Sequence, residues 1–191
     1  GNRSARALTL TINNKVGSAG SHAPGLIAQT IGGGGGSVDT VAGNLSLGRT
    51  SAVANTGNTS AAAIELTINS GAQLFSTGNT SPALMAQTIG GGGGFAASTT
   101  GTVQLGSGGS GTLNANASAG GITWSNAAGG VVTENTATGV TATEVPGIST
   151  SGNFSPAVVL QSIGGGGGYT TGGSSVSFSA ADHAGRGKTD G

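Results

Sequence analysis

The side chains able to do acid–base chemistry are few and scattered. The carboxylates are Asp39, Glu65, Glu134, Glu144, Asp182 and Asp190, and the histidines are His22 and His183. Catalysis needs such groups to converge in a pocket, and this spacing converges none. Asp182 and His183 lie near many serines, but no Gly-x-Ser-x-Gly turn between strand and helix accompanies them. Gly185-Arg186-Gly187-Lys188-Thr189 looks like the end of a phosphate-binding loop. The glycine required five positions before Gly187 is instead Asp182, so the stretch reads as a basic, polar tail. His22 stands just before Pro24 and reads as a solvated turn residue. Calcium-binding nonapeptide repeats need an aspartate in every turn, and metal sites need clustered ligands. Neither pattern occurs, so no cofactor, metal site or enzymatic activity is expected. Asn44-Leu45-Ser46 and Asn153-Phe154-Ser155 fit the glycosylation triplet, which an Asn/Ser/Thr-rich chain produces by chance.

What the chain repeats is structural. Pro24-Gly25-Leu26-Ile27-Ala28-Gln29-Thr30-Ile31 runs into Gly32 to Gly36, and Pro82-Ala83-Leu84-Met85-Ala86-Gln87-Thr88-Ile89 runs into Gly90 to Gly94. A third copy, Pro156-Ala157-Val158-Val159-Leu160-Gln161-Ser162-Ile163, runs into Gly164 to Gly168. Gln29 and Gln87 stand at an interval of 58, and Gln87 and Gln161 at an interval of 74, so the second copy is the longer one. The flanks repeat too. Leu10-Thr11-Ile12-Asn13 matches Leu66-Thr67-Ile68-Asn69, and the pairs Leu45 and Leu47, Val103 and Leu105, and Val176 and Phe178 follow the glycine runs. Such periodicity marks stacked units. The copies are taken as 8–63, 64–144 and 145–191 of a single segment spanning 1–191.

Glycine makes up 41 of 191 residues, only 6% are charged, and cysteine is absent. Scarce aromatics and long aliphatics cannot build a thick core. A flexible linker has similar composition, but linkers lack the period-two alternation of Leu8-Thr9-Leu10-Thr11-Ile12, Val131-Val132-Thr133 and Ser175-Val176-Ser177-Phe178-Ser179. An all-β solenoid is therefore expected, because each coil of a solenoid needs only a thin inward row covered by its neighbours. Splitting the shorter interval among three coils gives about 19 positions each, hence about ten three-sided parallel coils and a rod on the order of 50 Å. The extra length of the second copy is expected as one inserted coil within Gly106 to Gly130.

The pattern Ser-Pro-x-x-x-x-Gln-[Ser/Thr]-Ile followed by five glycines resembles the repeats of very large autotransporter passenger domains (type V secretion) of Gram-negative bacteria. Copy one departs from it, with Ala23 before Pro24. The resemblance covers most of the chain and implies a right-handed parallel β-helix, export through the outer membrane and a place at the cell surface or outside it. Gly1-Asn2-Arg3-Ser4-Ala5-Arg6 begins no signal peptide, and the polar end from Ala181 to Gly191 is no membrane barrel. The chain is accordingly expected to be a segment of a longer passenger. It has no apolar run of membrane-spanning length, so membrane insertion of this segment is not expected. Lys and Arg balance Asp and Glu at six each, which argues against nucleic acid.

The strand before each glycine run is apolar on both faces. A strand of this kind is usually covered on both sides, either by the glycine run folding back or by a second rod. The expected contact residues are Gln29, Ile31, Gly32, Gly36, Gln87, Ile89, Gly90, Gly94, Gln161, Ile163, Gly164 and Gly168. The glycines would lie close against neighbouring backbone, and the glutamines would bond backbone groups there. The function expected from all this is a structural or adhesive surface rod whose partners are itself and a cell-surface or glycan receptor. The alternatives are a glycan- or ice-binding solenoid, suggested by Thr9, Thr11 and Thr67, and more remotely a β-helix enzyme that degrades polysaccharides.

Overall fold

A computed structural model describes residues 6–32, 35–39, 42–47, 61–97, 100–105, 119–128, 131–132, 147–164, 167–171 and 175–178. Among these residues every regular element is a strand. The first coil holds β1 (Leu8–Ile12), β2 (Lys15–Ser18), β3 (Leu26–Ile31), β4 (Gly35–Val38) and β5 (Leu45–Leu47). The second holds β6 (Ile64–Ile68), β7 (Gln73–Ser76), β8 (Leu84–Ile89), β9 (Gly93–Ala96) and β10 (Thr102–Leu105). The third holds β11 (Ile122–Asn126), β12 (Val131–Val132), β13 (Gly147–Thr150), β14 (Val158–Ile163), β15 (Gly167–Thr170) and β16 (Ser175–Phe178). All pairing is parallel, in five sheets ordered β1-β6-β11, β2-β7-β13-β12, β3-β8-β14, β4-β9-β15 and β5-β10-β16. The chain is a parallel β-solenoid.

The coils are larger and fewer than expected. Leu26 pairs with Leu84, and Leu84 with Val158, so one coil occupies the whole repeat and the described strands make three coils, not about ten. Dividing the repeat by three assumed a single-walled triangle. The real coil closes a triangle with its first three strands and then turns back to lay two more strands outside it. The inserted stretch also lies elsewhere than expected. Ile64 still pairs with Ile122 at the shorter interval, whereas Gln73 pairs with Gly147 at the longer one. The extra length therefore falls between Asn126 and Gly147. It carries β12, which pairs with the outer edge of β13. The third coil accordingly starts at β11, near residue 122 rather than 145.

Alternation within each strand sets the core. Ile64, Leu66 and Ile68 of β6 are buried while Glu65 between them is exposed. Ile12, Leu66, Ile68, Leu74, Leu84 and Ile148 form one cluster inside the triangle, with Leu10, Leu26 and Trp124 packed against it. Each row is covered by the coil above and the coil below, which is how small coils bury apolar area. The middle coil gains from both neighbours, so every residue of β8 and β9 is buried. Leu160 shares a row with Ala28 and Ala86 but lies in the last coil. It is 40% exposed and lines, with Gly121, Ile122, Thr123 and Ser162, an opening of about 400 Å³. Leu160 follows the same inward alternation as Leu84, which predicts a buried side chain, but its place in the last described coil leaves it exposed.

The glycine runs fold back over the outer face of the Pro-led strands. Met85 of β8 packs against Phe95 of β9 and Ala97, with Ile27, Val159 and Tyr169 beside them. On the far side of β9, Ala96 meets Val103, Leu105, Leu45 and Leu47. The cover anticipated for β8 is thus the chain's own next strand. Phe95 and Tyr169 stack with ring centroids 5.9 Å apart. Burial raises the Tyr169 phenol above its ordinary value of 10.0, because a phenolate is poorly solvated there. A raised folded value means that this contribution to stability is complete below the ordinary value and is lost as the pH climbs through the folded one. Tyr169 is the only tyrosine, so ultraviolet titration reads it alone. We expect the native phenol to ionise at higher pH than the unfolded one, and Tyr169→Phe to remove that part of the alkaline destabilisation.

Candidate functional site

The repeated glutamines stack into a ladder. Gln29 Nε2 donates to Gln87 Oε1 at 2.6 Å, and Gln87 Nε2 donates to Gln161 Oε1 at 2.5 Å. Gln161 Nε2 ends the chain on the Gly168 carbonyl at 3.4 Å. Gln87 is fully buried, on the same outer face of β8 as Met85. An amide can be buried there because its equivalents one coil away supply both a donor and an acceptor. The expectation that each glutamine bonds glycine backbone holds only for Gln161, because the identical neighbour is a better partner for the other two. Replacing Gln87 with Leu would leave Gln29 Nε2 and Gln161 Oε1, on half-buried side chains, without these partners, and an unsatisfied group costs up to about 1–3 kcal/mol when burial is complete. We expect Gln87→Leu to lower stability by about 2–4 kcal/mol in chemical denaturation, and Gln161→Leu, at the end of the ladder, to cost clearly less.

The neighbouring threonines tie each coil to the next. Thr30 Oγ1 donates to the Ala62 carbonyl at 2.5 Å, and Thr88 Oγ1 to the Gly120 carbonyl at 2.5 Å. Those carbonyls lie where the chain enters β6 and β11. Ser162 Oγ also reaches the Gly120 carbonyl, at 3.1 Å. Along the repeated phrase, then, the glutamine faces the outer layer and the Thr or Ser faces the inner one. Ile31, Ile89 and Ile163 pair in one row, with Ile89 fully buried. Gly32 and Gly90 continue the ladder, as Gly32 N donates to the Ile89 carbonyl and Gly90 N to the Ile163 carbonyl, both at 2.8 Å. Gly164 follows Ile163 and is buried.

At the end of each run the backbone itself is the packing surface. Gly35, Gly93 and Gly167 pair in one row, and Gly36, Gly94 and Gly168 in the next. All six have φ between +133° and +154°, a region that side chains rarely adopt. A Cβ on Gly93 would lie 1.7 Å from the Gly167 carbonyl oxygen, and one on Gly94 would lie 1.9 Å from that of Gly36. Only glycine fits between coils here.

A second ladder was not anticipated. His22, Thr80 and Phe154 occupy matching turns at φ 59°, 53° and 54°. His22 N donates to the Asn79 carbonyl and Thr80 N to the Asn153 carbonyl, while Ser81 Oγ and Ser155 Oγ accept from Ala23 N and Ser81 N. The signal that could have revealed it is the shared Gly-Asn-x-Ser-Pro of copies two and three. His22 is not the solvated residue expected. It is half-buried, with Nδ1 2.6 Å from Thr80 Oγ1 and 3.2 Å from Thr171 Oγ1.

The described acids do not converge. Asp39 is exposed, and Glu65 stands on the outer face of β6 with Thr9 Oγ1 at 3.4 Å. Among the described residues no group of three potential metal ligands occurs, and no helix is long and apolar enough to cross a membrane. Glu134, Glu144, Asp182, His183, Asp190 and the stretch 185–189 lie outside the described residues. Comparison with protein-family models, curated proteins and solved structures found no match.

Proposed function

We propose that this chain is a structural or adhesive segment of an extracellular rod at a Gram-negative bacterial surface, acting by display and by contact with itself or with a surface. The observation that carries the reading is the coil-to-coil identity of the repeated phrase. Gln29, Gln87 and Gln161 form one ladder, and the glycine pairs form one close-packed sheet. The residues that recur are those that join coils, which is where a building element concentrates its specificity. The repeat's resemblance to autotransporter passengers supports the location. Fused to a signal peptide and a translocating barrel in a Gram-negative host, the chain should reach the surface, become accessible to external protease and make cells settle or adhere. Retention in the periplasm, or surface display without any gain in adhesion, would overturn the reading.

A glycan- or ice-binding role has one observation in its favour. The outer face of the β1-β6-β11 sheet carries the row Thr11, Thr67 and Ser125 beside the row Thr9, Glu65 and Thr123. Glu65 interrupts the hydroxyl array. Glycan-array binding that depends on Thr67 would move this reading ahead of the first.

A further inference from the structure

The coils differ sharply on the outer face of the β2-β7-β13 sheet. Facing inward, Val16, Leu74 and Ile148 form one apolar row, and Ser18, Ser76 and Thr150 keep a hydroxyl in every coil. Facing outward, the rows read Lys15, Gln73 and Gly147, then Gly17, Phe75 and Ser149. Residues that join coils recur from copy to copy, so an outward set that changes its charge, size and polarity at each coil is not fixed by stacking. The extra length between Asn126 and Gly147 also rejoins the fold at this sheet, at the start of β13. Insertions in solenoids gather on one face, often the binding face.

Phe75 is the large side chain on this face. It belongs to the middle coil, with a strand paired on each side, so its setting owes nothing to where the stack stops. A Cβ added to Gly17 would lie 2.4 Å from Phe75 Cδ1, 2.4 Å from Cε1 and 2.6 Å from Cγ. Three consecutive ring atoms at nearly one distance place that point above the face of the ring, not beyond its edge. The ring therefore lies flat on the sheet over Gly17, and its other face points away from the sheet. The residue is half-buried. Lys15 Nζ stands 5.1 Å from the ring centroid, and among the described residues no carboxylate pairs with it. Gln73 is Lys15's partner across the ladder, so its amide shares the face, and among the described residues that amide has no hydrogen bond. A uronic acid sugar satisfies all three groups. Its C–H face stacks on the ring, its hydroxyls bond the amide, and its carboxylate meets the ammonium. A simple anion would leave the ring unused, and an apolar ligand would leave Lys15 unused. We propose that Lys15, Gln73 and Phe75 form a binding site for an acidic polysaccharide built of uronic acid units. This sheet is not the one that carries the Thr9 and Thr67 rows, and the site rests on neither functional reading above.

The test titrates the intact chain with oligomers of galacturonate and of glucuronate, and with the methyl esters of both, while amide chemical shifts are followed. The esters keep the sugar rings and remove the charge. An acid oligomer should bind with shifts centred on β2 and β7, more tightly than its ester and less so as salt is raised. Phe75→Ala should weaken acid binding about tenfold, through lost stacking and ring burial. Lys15→Gln should weaken it about threefold to fivefold, remove the salt dependence and leave the esters as they were. Gly17→Ala sets a methyl group against the inner face of the ring and lifts it from the sheet. It should reduce binding of acids and esters alike while far-UV circular dichroism stays native. Absence of shifts on β2 and β7 with either acid, equal affinity for acids and esters, or indifference to Phe75→Ala would each overturn the proposal. Should Phe75→Ala fail to fold, Lys15→Gln decides alone, and acid binding unchanged by it would be the overturning result. Thr67→Ala, on the neighbouring sheet, should change nothing. A loss there equal to that of Phe75→Ala would place the ligand on the hydroxyl rows instead and overturn the assignment.

Discussion

Replacing Leu84 with Asp should abolish the cooperative thermal transition of this chain, whereas Leu160→Asp should leave it in place at a slightly lower temperature. Leu84 is fully buried in the middle coil, inside the triangle with Leu66, Leu74 and Ile148. Removing its side chain alone, as in Leu84→Ala, costs about 2–5 kcal/mol through lost transfer energy and the cavity left behind. Aspartate adds the desolvation of a carboxylate with no cation near it, several kcal/mol more even if it protonates. Whole domains are stable by about 5–15 kcal/mol, so the sum removes most or all of that margin. Leu160 occupies the matching inward side of the end coil, where 40% exposure lets a carboxylate keep part of its water. Equal melting temperatures for the two variants would mean that the middle coil is no better shielded than the end.

That contrast shows where sequence reading reaches and where it stops. Alternation in Leu8-Thr9-Leu10-Thr11-Ile12 located β1 and its inward face, and Leu45 and Leu47, Val103 and Leu105, and Val176 and Phe178 do fall in one sheet of paired strands. The two apolar faces of β8 announced a cover on both sides. Alternation says which way a residue points, however, and not whether another coil lies beyond it, so Leu84 and Leu160 looked equivalent. Gly35-Gly36 and Gly93-Gly94 carry no side-chain period to mark β4 and β9 as strands, and dividing the repeat by three made each coil too short. Thr80 is β-branched and disfavours φ 53°. His22 and Phe154 adopt the same conformation in the matching turns, and the Thr80 turn is bonded to Asn153 of the next coil, a contact that no local propensity encodes.

Gly93→Ala should destabilise the chain by about 3 kcal/mol or more, while Gly71→Ala should cost only about 1–2 kcal/mol. Both glycines have positive φ, +133° and +81°, so both substitutions carry backbone strain. They differ in what the methyl group meets. At Gly71 nothing lies within 4 Å, whereas at Gly93 the Gly167 carbonyl oxygen lies 1.7 Å away. That contact is far inside any allowed separation and involves backbone on both sides, so no rotamer relieves it. β9 and β15 must part, which breaks their ladder and uncovers Phe95 and Tyr169 stacked across it. Loss should therefore spread. Amide protection should fall along β9 and β15 together, and the Tyr169 phenol should titrate closer to its ordinary value as it gains water. Urea denaturation compares the two variants directly. If they lose equal stability, φ alone selects glycine in these runs, and the close approach of coil to coil contributes nothing. If Gly93→Ala costs clearly more, the five-glycine run is a contact surface made of backbone, and its recurrence in every coil follows from the need for each coil to meet the next in the same way.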